Sequence, residues 1–268
     1  MVEFQRKDFY SYEDFLEIMR LLRAPGGCPW DREQTHSSIR RNFLEETYEV
    51  LDAIDHDDAS GMCEELGDVL MQVAFHAQIE AERGRFTMAN VVDGVARKLV
   101  YRHPHVFGDV QADTSQQVLA NWDVLKRREK GQRSTADAVE AVPHTLPALW
   151  RAEKIQSKTA KAGFDWTSSL QALDKLEEEI RELREAAASG RETDAPHGVQ
   201  EELGDVLFMA AKVAQMSGVD PEEALHCACD KFNRRFRYVE EHAEEPLSAC
   251  GGEKLTALWR DAKKNEES

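Results

Sequence analysis

The amino-acid sequence predicts an all-α protein made of two tandem duplicated helical-bundle domains, each of four to five helices. Residues that favour helices (Leu, Ala, Glu, Lys and Arg) dominate its 268 positions, whereas Gly (15) and Pro (8) are sparse. Apolar residues recur at helical spacing along almost the whole chain. The string EELGDVL occurs at 64–70 and again at 201–207, which indicates an internal repeat.

The apolar periodicity predicts ten helices. Those of the first half are expected near 11–23, 38–55, 59–83, 87–102 and 115–130. Those of the second half are expected near 146–162, 168–188, 197–217, 220–242 and 252–265. The polar stretch GQRSTADAVEAVPHTLP (131–147) contains two prolines and is the best linker candidate. We therefore expect an N-terminal domain over 1–130, a linker over 131–147 and a C-terminal domain over 148–268.

Landmark residues align the two halves at nearly constant offsets. The offset is 136 for the pair Trp30 and Trp166, and 137 for the two EELGDVL strings. Further pairs match at 133 or 137: Glu46 and Glu179, Glu49 and Glu182, Lys98 and Lys231, Arg102 and Arg235, Trp122 and Trp259, Lys126 and Lys263. Small drifts are what changes in loop length would produce, so we interpret the chain as a tandem duplication.

Charge and composition exclude several classes of function. The net charge of −17 and the pI near 5.0 argue against binding to a nucleic acid polymer, because such binders carry a basic face. No apolar run approaches the length of a membrane span, and the charged N-terminal stretch does not resemble a signal peptide. Five cysteines without a Cys-x-x-Cys pattern suggest free thiols in a reducing compartment. We expect a cytoplasmic protein.

Two predicted helices of the first half carry paired carboxylates beside their apolar stripes. Glu46 and Glu49 lie three positions apart in RNFLEETYEVLDAI (41–54), and Glu65 and Asp68 do so in EELGDVL. The stripes of Phe43, Thr47, Val50, Leu51 and Ile54 and of Leu66, Val69, Leu70 and Val73 are expected to face a core. Packing by those stripes would bring both carboxylate pairs to one edge.

Four carboxylates that lie close together repel one another, and a bound cation would relieve that repulsion. Each close pair costs about 1 kcal/mol even in water, and ligation by oxygen alone suits Mg²⁺, with Mn²⁺ as a substitute. The second half repeats the pattern with Glu179, Glu182, Glu202 and Asp205. Gly67 and Gly204 lie inside these helices, and we expect a neighbouring backbone to approach them closely. The sequence predicts one metal site in each half.

Cations and tryptophans recur beside these sites. Lys98 and Arg102 are spaced one helical turn apart, and Lys231 and Arg235 repeat that spacing. Mg²⁺ together with Lys and Arg is the usual equipment for binding a polyphosphate. The pairs Trp122 with Lys126 and Trp259 with Lys263 add an aromatic face that can stack on a base.

At these residues the sequence resembles the MazG-type all-α nucleoside triphosphate pyrophosphohydrolases. The motif EExxE followed by ExxD occurs as Glu45-Glu46-x-x-Glu49 with Glu65-x-x-Asp68, and it recurs from Glu178 to Asp205. The segments GCPWDREQT, RHPHVFGDV, GFDWTS and KFNRRF resemble two-domain members of the family and extend the resemblance to nearly the whole chain. The resemblance implies Mg²⁺-dependent hydrolysis of nucleoside triphosphates at the α–β bond by homodimers. Their products would be a monophosphate and pyrophosphate.

The resemblance also implies roles for individual residues. Metal ligands would be Glu46, Glu49, Glu65 and Asp68 in the first half and Glu179, Glu182, Glu202 and Asp205 in the second. Lys231, Arg234 and Arg235 would hold phosphates with help from Lys175, and Trp259 would contact the nucleotide. A spare carboxylate, Glu45 or Glu178, would act as general base toward water. The substrates would be ribo- and deoxyribonucleoside triphosphates, non-standard ones among them, in the house-cleaning of nucleotide pools.

The two halves are not equivalent in sequence. Tyr101 stands where the second half has Arg234, and Pro104 is expected to end the helix that carries Lys98 and Arg102. Two active sites, or one in either half alone, therefore remain alternatives.

Other functions also remain open at this point. A di-iron bundle would need Glu-x-x-His strings, and the two present, Glu33 to His36 and Glu223 to His226, do not correspond in the repeat. A non-enzymatic acidic helical module that senses nucleotides or binds a partner is the main alternative. An enzyme narrowly specific for dUTP or dCTP is a further one.

Overall fold

The structure is a computed structural model that describes residues 3–129, 131–190, 193 and 195–266. Those residues form thirteen helices and no strand, which confirms the all-α prediction. The chain divides into two compact units, Met1–Lys126 and Arg127–Ser268. They meet four residues before Lys130, the predicted end of the first domain, which lies outside the described residues.

Seven helices begin in the first unit: α1 (Tyr12–Arg23), α2 (Pro29–Glu33), α3 (Arg40–Asp55), α4 (Ala59–Glu82), α5 (Met88–Arg102), α6 (Pro104–Phe107) and α7 (Ser115–Glu129). Helix α7 continues across the boundary between the units. The second unit contains α8 (Thr135–Glu140), α9 (Ala148–Ala160), α10 (Ser169–Ala188), α11 (Val199–Met216), α12 (Pro221–His242) and α13 (Gly252–Glu266).

All ten predicted helices are present, with ends within two residues of the prediction wherever the chain is described. The short helices α2, α6 and α8 were not predicted. Helix α8 lies inside the segment predicted as a linker, where a capping box between Ser134 and Asp137 starts it and Ala138 is fully buried. Its few apolar positions are too short a run to show a helical period.

The core of the first unit forms where α1 packs on α4. Met19, Phe75 and Ile79 are buried there with Ile39 from the segment before α3. The Arg23 guanidinium lies 5.2 Å from the centre of the Phe75 ring. This contact places a cation against the buried end of α4.

At the repeat offset of 137, Phe75 of the first unit corresponds to Lys212 of the second, and both side chains are buried. Lys212 on α11 is 1% exposed and forms an ion pair with Asp165, in the loop between α9 and α10. Its ammonium also donates to Gln215 (2.7 Å) and lies 5.7 Å from the Trp166 ring centre. The loop that carries Asp165 and Trp166 is thus anchored to α11 by a buried charge.

Two expectations about packing were wrong. Leu66 (51% exposed) and Leu70 on α4 do not face the core of their unit, and neither do Leu51 and Ile54 on α3. An amphipathic stripe shows only that a face is apolar, and these helices have apolar residues on more than one side. Leu203 (44% exposed) and Leu207 on α11 are exposed in the same way. We call the two pairs, Leu66 with Leu70 and Leu203 with Leu207, the leucine faces of α4 and α11.

The expected role of the helical glycines was also wrong. A Cβ built on Gly67 or Gly204 would meet no atom within 4 Å, so no backbone among the described residues approaches them closely. Close approach occurs instead at Gly27, where a Cβ would lie 2.3 Å from the carbonyl oxygen of Leu21. Gly27 therefore allows the chain to turn tightly against the end of α1.

Candidate functional site

The first carboxylate set lies along the contact between α3 and α4. One oxygen each from Glu46, Glu49 and Glu65 lies within 4.8 Å of the others. Asp68, the fourth predicted ligand, falls outside this set of three but lies one turn from Glu65 on α4. Gln72, one turn further on, donates from its Nε2 to Glu46 Oε1 at 3.5 Å. The structure thus brings three of the four predicted carboxylates together and leaves the fourth beside them.

The carboxylates of the first set repel one another. Burial, followed by the negative charge of Asp68, raises the pKa of Glu46. Burial, followed by the charge of Glu49, raises the pKa of Glu65. No lysine or arginine in the described parts of the chain forms an ion pair with any of these four carboxylates. An all-oxygen donor set without a counter-charge fits a hard divalent cation.

The second set lies along the contact between α10 and α11. Glu179 and Glu202 are buried there, and with Asp205 they offer three oxygen atoms within 4.8 Å of one another. Glu182 falls outside the three, yet burial and the charge of Glu179 raise its pKa. Burial and the charge of Glu179 also raise the pKa of Asp205. This set can hold a cation as the first can.

A lysine makes the second set different from the first. Lys175 Nζ lies 2.8 Å from Glu179 Oε1 and 3.2 Å from Glu178 Oε1. The hydrogen bond to Glu179 raises the pKa of Lys175. At the offset of 133, the first half has Asn42 in this position. The second set therefore has an internal counter-charge that the first lacks.

The predicted phosphate-binding residues of the second unit lie on α12. Arg235 and Arg234 both contact Glu266 of α13, at 2.6 Å and 3.5 Å. Lys231, one turn before Arg235, is exposed. On α13, Trp259 packs against Phe232 with ring centres 5.1 Å apart, and Lys263 one turn on is exposed.

The matching cations of the first unit are more enclosed than those of the second. Arg102 ends α5 and is buried, and Lys98 one turn earlier is partly exposed. Helix α5 ends at Arg102, before Pro104, as predicted, and Pro104 begins the short helix α6, which was not predicted. Trp122 on α7 has the Lys126 ammonium 5.7 Å from its ring centre.

The two candidate general bases lie outside both sets. Glu45 is exposed and forms an ion pair with Arg41 at 2.8 Å. Glu178 is exposed and shares the ammonium of Lys175. Each is the chain neighbour of a residue in a set, Glu46 or Glu179, and occupies the adjoining face of its helix.

Sequence reasoning missed the polar residues that continue the stripe of the first set along α4. His36 donates from Nε2 to the buried Glu80 at 2.5 Å, and its Nδ1 lies 2.7 Å from His76 Nδ1. One of the two Nδ1 atoms donates to the other, and the tautomers of the rings determine which. Gln72, His76 and Glu80 follow one another at four-residue intervals, a spacing that could have indicated a polar interface. His36 belongs to one of the two Glu-x-x-His strings considered for a di-iron bundle. Its side-chain contacts are with Glu80 and His76, not with the carboxylates of either set.

Comparison with known proteins gives a family for this arrangement. The family described as the MazG nucleotide pyrophosphohydrolase domain matches residues 34–107 and 167–240. Each matched segment contains one of the two carboxylate sets. The two segments together make up more than half of the chain.

Similar proteins extend the match beyond those segments. The chain is 42% identical over 260 residues to a nucleoside triphosphate pyrophosphohydrolase/pyrophosphatase MazG from Thermotoga maritima, which covers 96% of this chain and 97% of that protein. It is 44% identical over 255 residues to a nucleoside triphosphate pyrophosphohydrolase from Escherichia coli K12, with 94% and 96% covered. Bacillus subtilis YabN, described as uncharacterized, is 44% identical over 96% of this chain, which spans 53% of YabN. The chain belongs to the MazG nucleotide pyrophosphohydrolase family.

Proposed function

We propose that this protein hydrolyses nucleoside triphosphates at the α–β phosphate bond and releases a nucleoside monophosphate and pyrophosphate. The observation that carries the proposal is the pair of three-carboxylate sets, each inside a segment that matches the family. The names of the relatives support the same reaction. Ribo- and deoxyribonucleotides are the proposed substrates, non-standard ones among them, and house-cleaning of nucleotide pools is the proposed role.

The proposed cofactor is Mg²⁺, with Mn²⁺ as a substitute. Glu46, Glu49 and Glu65, assisted by Asp68, would hold it in the first unit. Glu179, Glu202 and Asp205, assisted by Glu182, would hold it in the second. The bound ion supplies a Lewis acid that neutralises phosphate charge and makes water more acidic.

The remaining candidate residues bind and orient the nucleotide in this proposal. Arg234, Arg235, Lys231 and Lys263 bind phosphate oxygens in the second unit, with Lys175, and Lys98, Arg102 and Lys126 do so in the first. Guanidinium groups suit this task because their paired N–H donors match two phosphate oxygens. Trp259 and Trp122 offer faces for stacking on the base. Glu45 and Glu178 are the proposed general bases that accept a proton from the attacking water.

The proposal is tested by measuring turnover of several nucleoside triphosphates with Mg²⁺ while resolving pyrophosphate from orthophosphate. We expect monophosphate and pyrophosphate, and no turnover with EDTA. Release of orthophosphate would show a different phosphoryl reaction. No turnover of any nucleotide would favour a non-enzymatic nucleotide-sensing or partner-binding module.

Matched variants then assign the activity to one unit or both. Glu49→Ala disrupts the first set and Glu182→Ala disrupts the corresponding position beside the second. Equal partial losses of turnover would show two working sites. Loss in only one variant would place the reaction in that unit. The control is Arg20→Ala, which breaks an exposed ion pair with Glu17 on α1 and leaves both sets and both candidate bases intact.

A homodimer is the proposed assembly. The leucine faces of α4 and α11 expose apolar side chains on either side of a glycine, as surfaces that pack against another helix do. A second copy would cover these faces in the proposed dimer. None of the described helices has the length and hydropathy that a membrane-spanning segment requires. The molar mass in solution, measured by light scattering during gel filtration, tests the dimer, and the proposed compartment is the cytoplasm.

A further inference from the structure

One carboxylate on the last turn of α13 holds two arginines of α12. Glu266 Oε2 accepts a hydrogen bond from Arg235 Nε at 2.6 Å, and Glu266 Oε1 lies 3.5 Å from Arg234 Nε. Side-chain exposure is 18% for Arg235 and 29% for Glu266, so the contact lies partly out of water. The hydrogen bond from Arg235 lowers the pKa of Glu266, which keeps its carboxylate charged.

Both contacts use the inner nitrogen of the guanidinium group. A carboxylate bound at Nε leaves the two outer nitrogens of an arginine free to form a paired contact with another anion. Neither Arg234 nor Arg235 donates a hydrogen bond from an outer nitrogen to the described residues. The outer nitrogens of both arginines are therefore available for another anion. The Nε of Arg235 is held by a hydrogen bond, and the Nε of Arg234, whose side chain is 65% exposed, is held by an ion pair.

The contact with Glu266 also reduces the repulsion among three neighbouring cations of α12. Lys231, Arg234 and Arg235 place three positive charges within five residues of α12. Adjacent cations repel one another, and their long side chains lose entropy when they are ordered. A carboxylate shared by both arginines offsets the repulsion and limits their movement before any phosphate arrives.

The internal repeat contains the same arrangement of residue types. Trp122, Lys126 and Glu129 have the spacing of Trp259, Lys263 and Glu266, at the constant offset of 137. Arg102 corresponds to Arg235. A glutamate three residues after the lysine is thus present in both halves beside the residues proposed to meet the nucleotide.

We propose that Glu266 is a positioning residue, which orients Arg235 and Arg234 so that their outer nitrogens receive the phosphates of the substrate. This inference rests on the proposed function, because the ligand of the arginines is taken to be a triphosphate. Glu266 does not touch the substrate in this arrangement. It acts by ordering the two side chains that do.

The test compares Glu266→Gln with Glu266→Asp and with a control on the same helix. Asp261→Asn removes another α13 carboxylate, which contacts Lys264 at 3.5 Å and neither arginine. We expect Glu266→Gln to raise KM for a nucleoside triphosphate about tenfold with a much smaller change in kcat, because the lost order affects binding. Glu266→Asp should recover part of the affinity, and Asp261→Asn should leave KM unchanged.

Two results would overturn the inference. A lower KM in Glu266→Gln would show that the carboxylate competes with phosphate for the arginines. An unchanged KM, with or without a lower melting temperature, would show that the contact has no part in binding.

Binding of inorganic tripolyphosphate, measured by calorimetry, separates this inference from the proposed function. If the unaltered protein turns over no nucleotide, the proposed function fails. Weaker tripolyphosphate binding by Glu266→Gln would then still support the positioning role, and equal binding would overturn it.

Discussion

Lys175 and Asn42 occupy equivalent positions of the repeat and give the two carboxylate sets different charge. The ammonium of Lys175 bonds to Glu179 in the second set. In the first set an amide side chain stands at that position, so no ammonium offsets the burial that raises the pKa values of Glu46 and Glu65. One set is thus partly neutralised from within, whereas the other needs a cation or protons from solution.

At the residue scale, we predict that Glu46→Gln stabilises the metal-free protein by up to about 1 kcal/mol at neutral pH, because it removes like-charge repulsion from a half-buried site. The amide keeps the shape of the side chain, and its oxygen can still accept from Gln72. The variant should also lose part of the stabilisation by Mg²⁺. Urea unfolding with EDTA and with Mg²⁺ measures both effects.

Glu45→Gln is the matched control for that prediction. It removes an equal charge from the neighbouring position, where the carboxylate is exposed and paired with Arg41. Such a change should alter stability by no more than about 0.5 kcal/mol. Equal behaviour of the two variants would contradict a special electrostatic role for Glu46.

At the scale of elements, the loop between α9 and α10 depends on one ion pair. Lys212 is almost completely enclosed, whereas the Asp165 side chain keeps 30% of its exposure. Removal of one partner from a buried pair is costly when the remaining charge is the one without access to water. The two partners should therefore respond unequally to substitution.

We predict that Asp165→Asn lowers the free energy of unfolding by about 3–5 kcal/mol, because it leaves a buried ammonium without its counter-charge. Lys212→Met should cost less, since methionine fills the space and water can reach Asp165. Denaturant unfolding followed by circular dichroism gives both values. A larger loss in Lys212→Met would show that the ammonium stabilises the loop mainly through Trp166 and Gln215.

At the scale of the whole molecule, four carboxylates with raised pKa values link stability to pH and metal. Glu46, Glu65, Glu182 and Asp205 bind protons more tightly in the folded state than in the unfolded state. Their contribution to stability is present below the ordinary carboxyl pKa values of 3.8 to 4.5. It is lost as pH rises through the raised values.

We predict that Mg²⁺ stabilises the protein increasingly as pH rises from about 4.5 to 7, because the ligands must lose protons to bind it. At a concentration of one hundred times Kd, each occupied site should add about 2.7 kcal/mol. Melting temperatures with EDTA, with Mg²⁺ and with NaCl of equal ionic strength measure the effect. The same effect of Mg²⁺ at every pH, or an equal effect of NaCl, would contradict the prediction.

Local pattern explains why so much of this molecule could be predicted. The long helices followed from apolar periodicity, and the carboxylate pairs followed from their three-residue spacing, because both features depend on neighbours in sequence. The burial of Lys212 and the contact of His36 with Glu80 depend on residues far apart in the chain. The apolar stripe on α4 is a further example. Its spacing predicts an apolar face that includes Leu66, but it does not show what that face packs against.

The leucine faces bear on how the protein is produced. In the proposed dimer the second copy covers Leu66 and Leu203, so a newly made chain exposes both side chains to water until it binds that copy. Assembly is then second order in concentration, whereas aggregation through the same surfaces competes with it. Slow synthesis at low temperature and purification without strong dilution should therefore give the best yield of native protein. Co-translational pairing of neighbouring chains would shorten the period of exposure further.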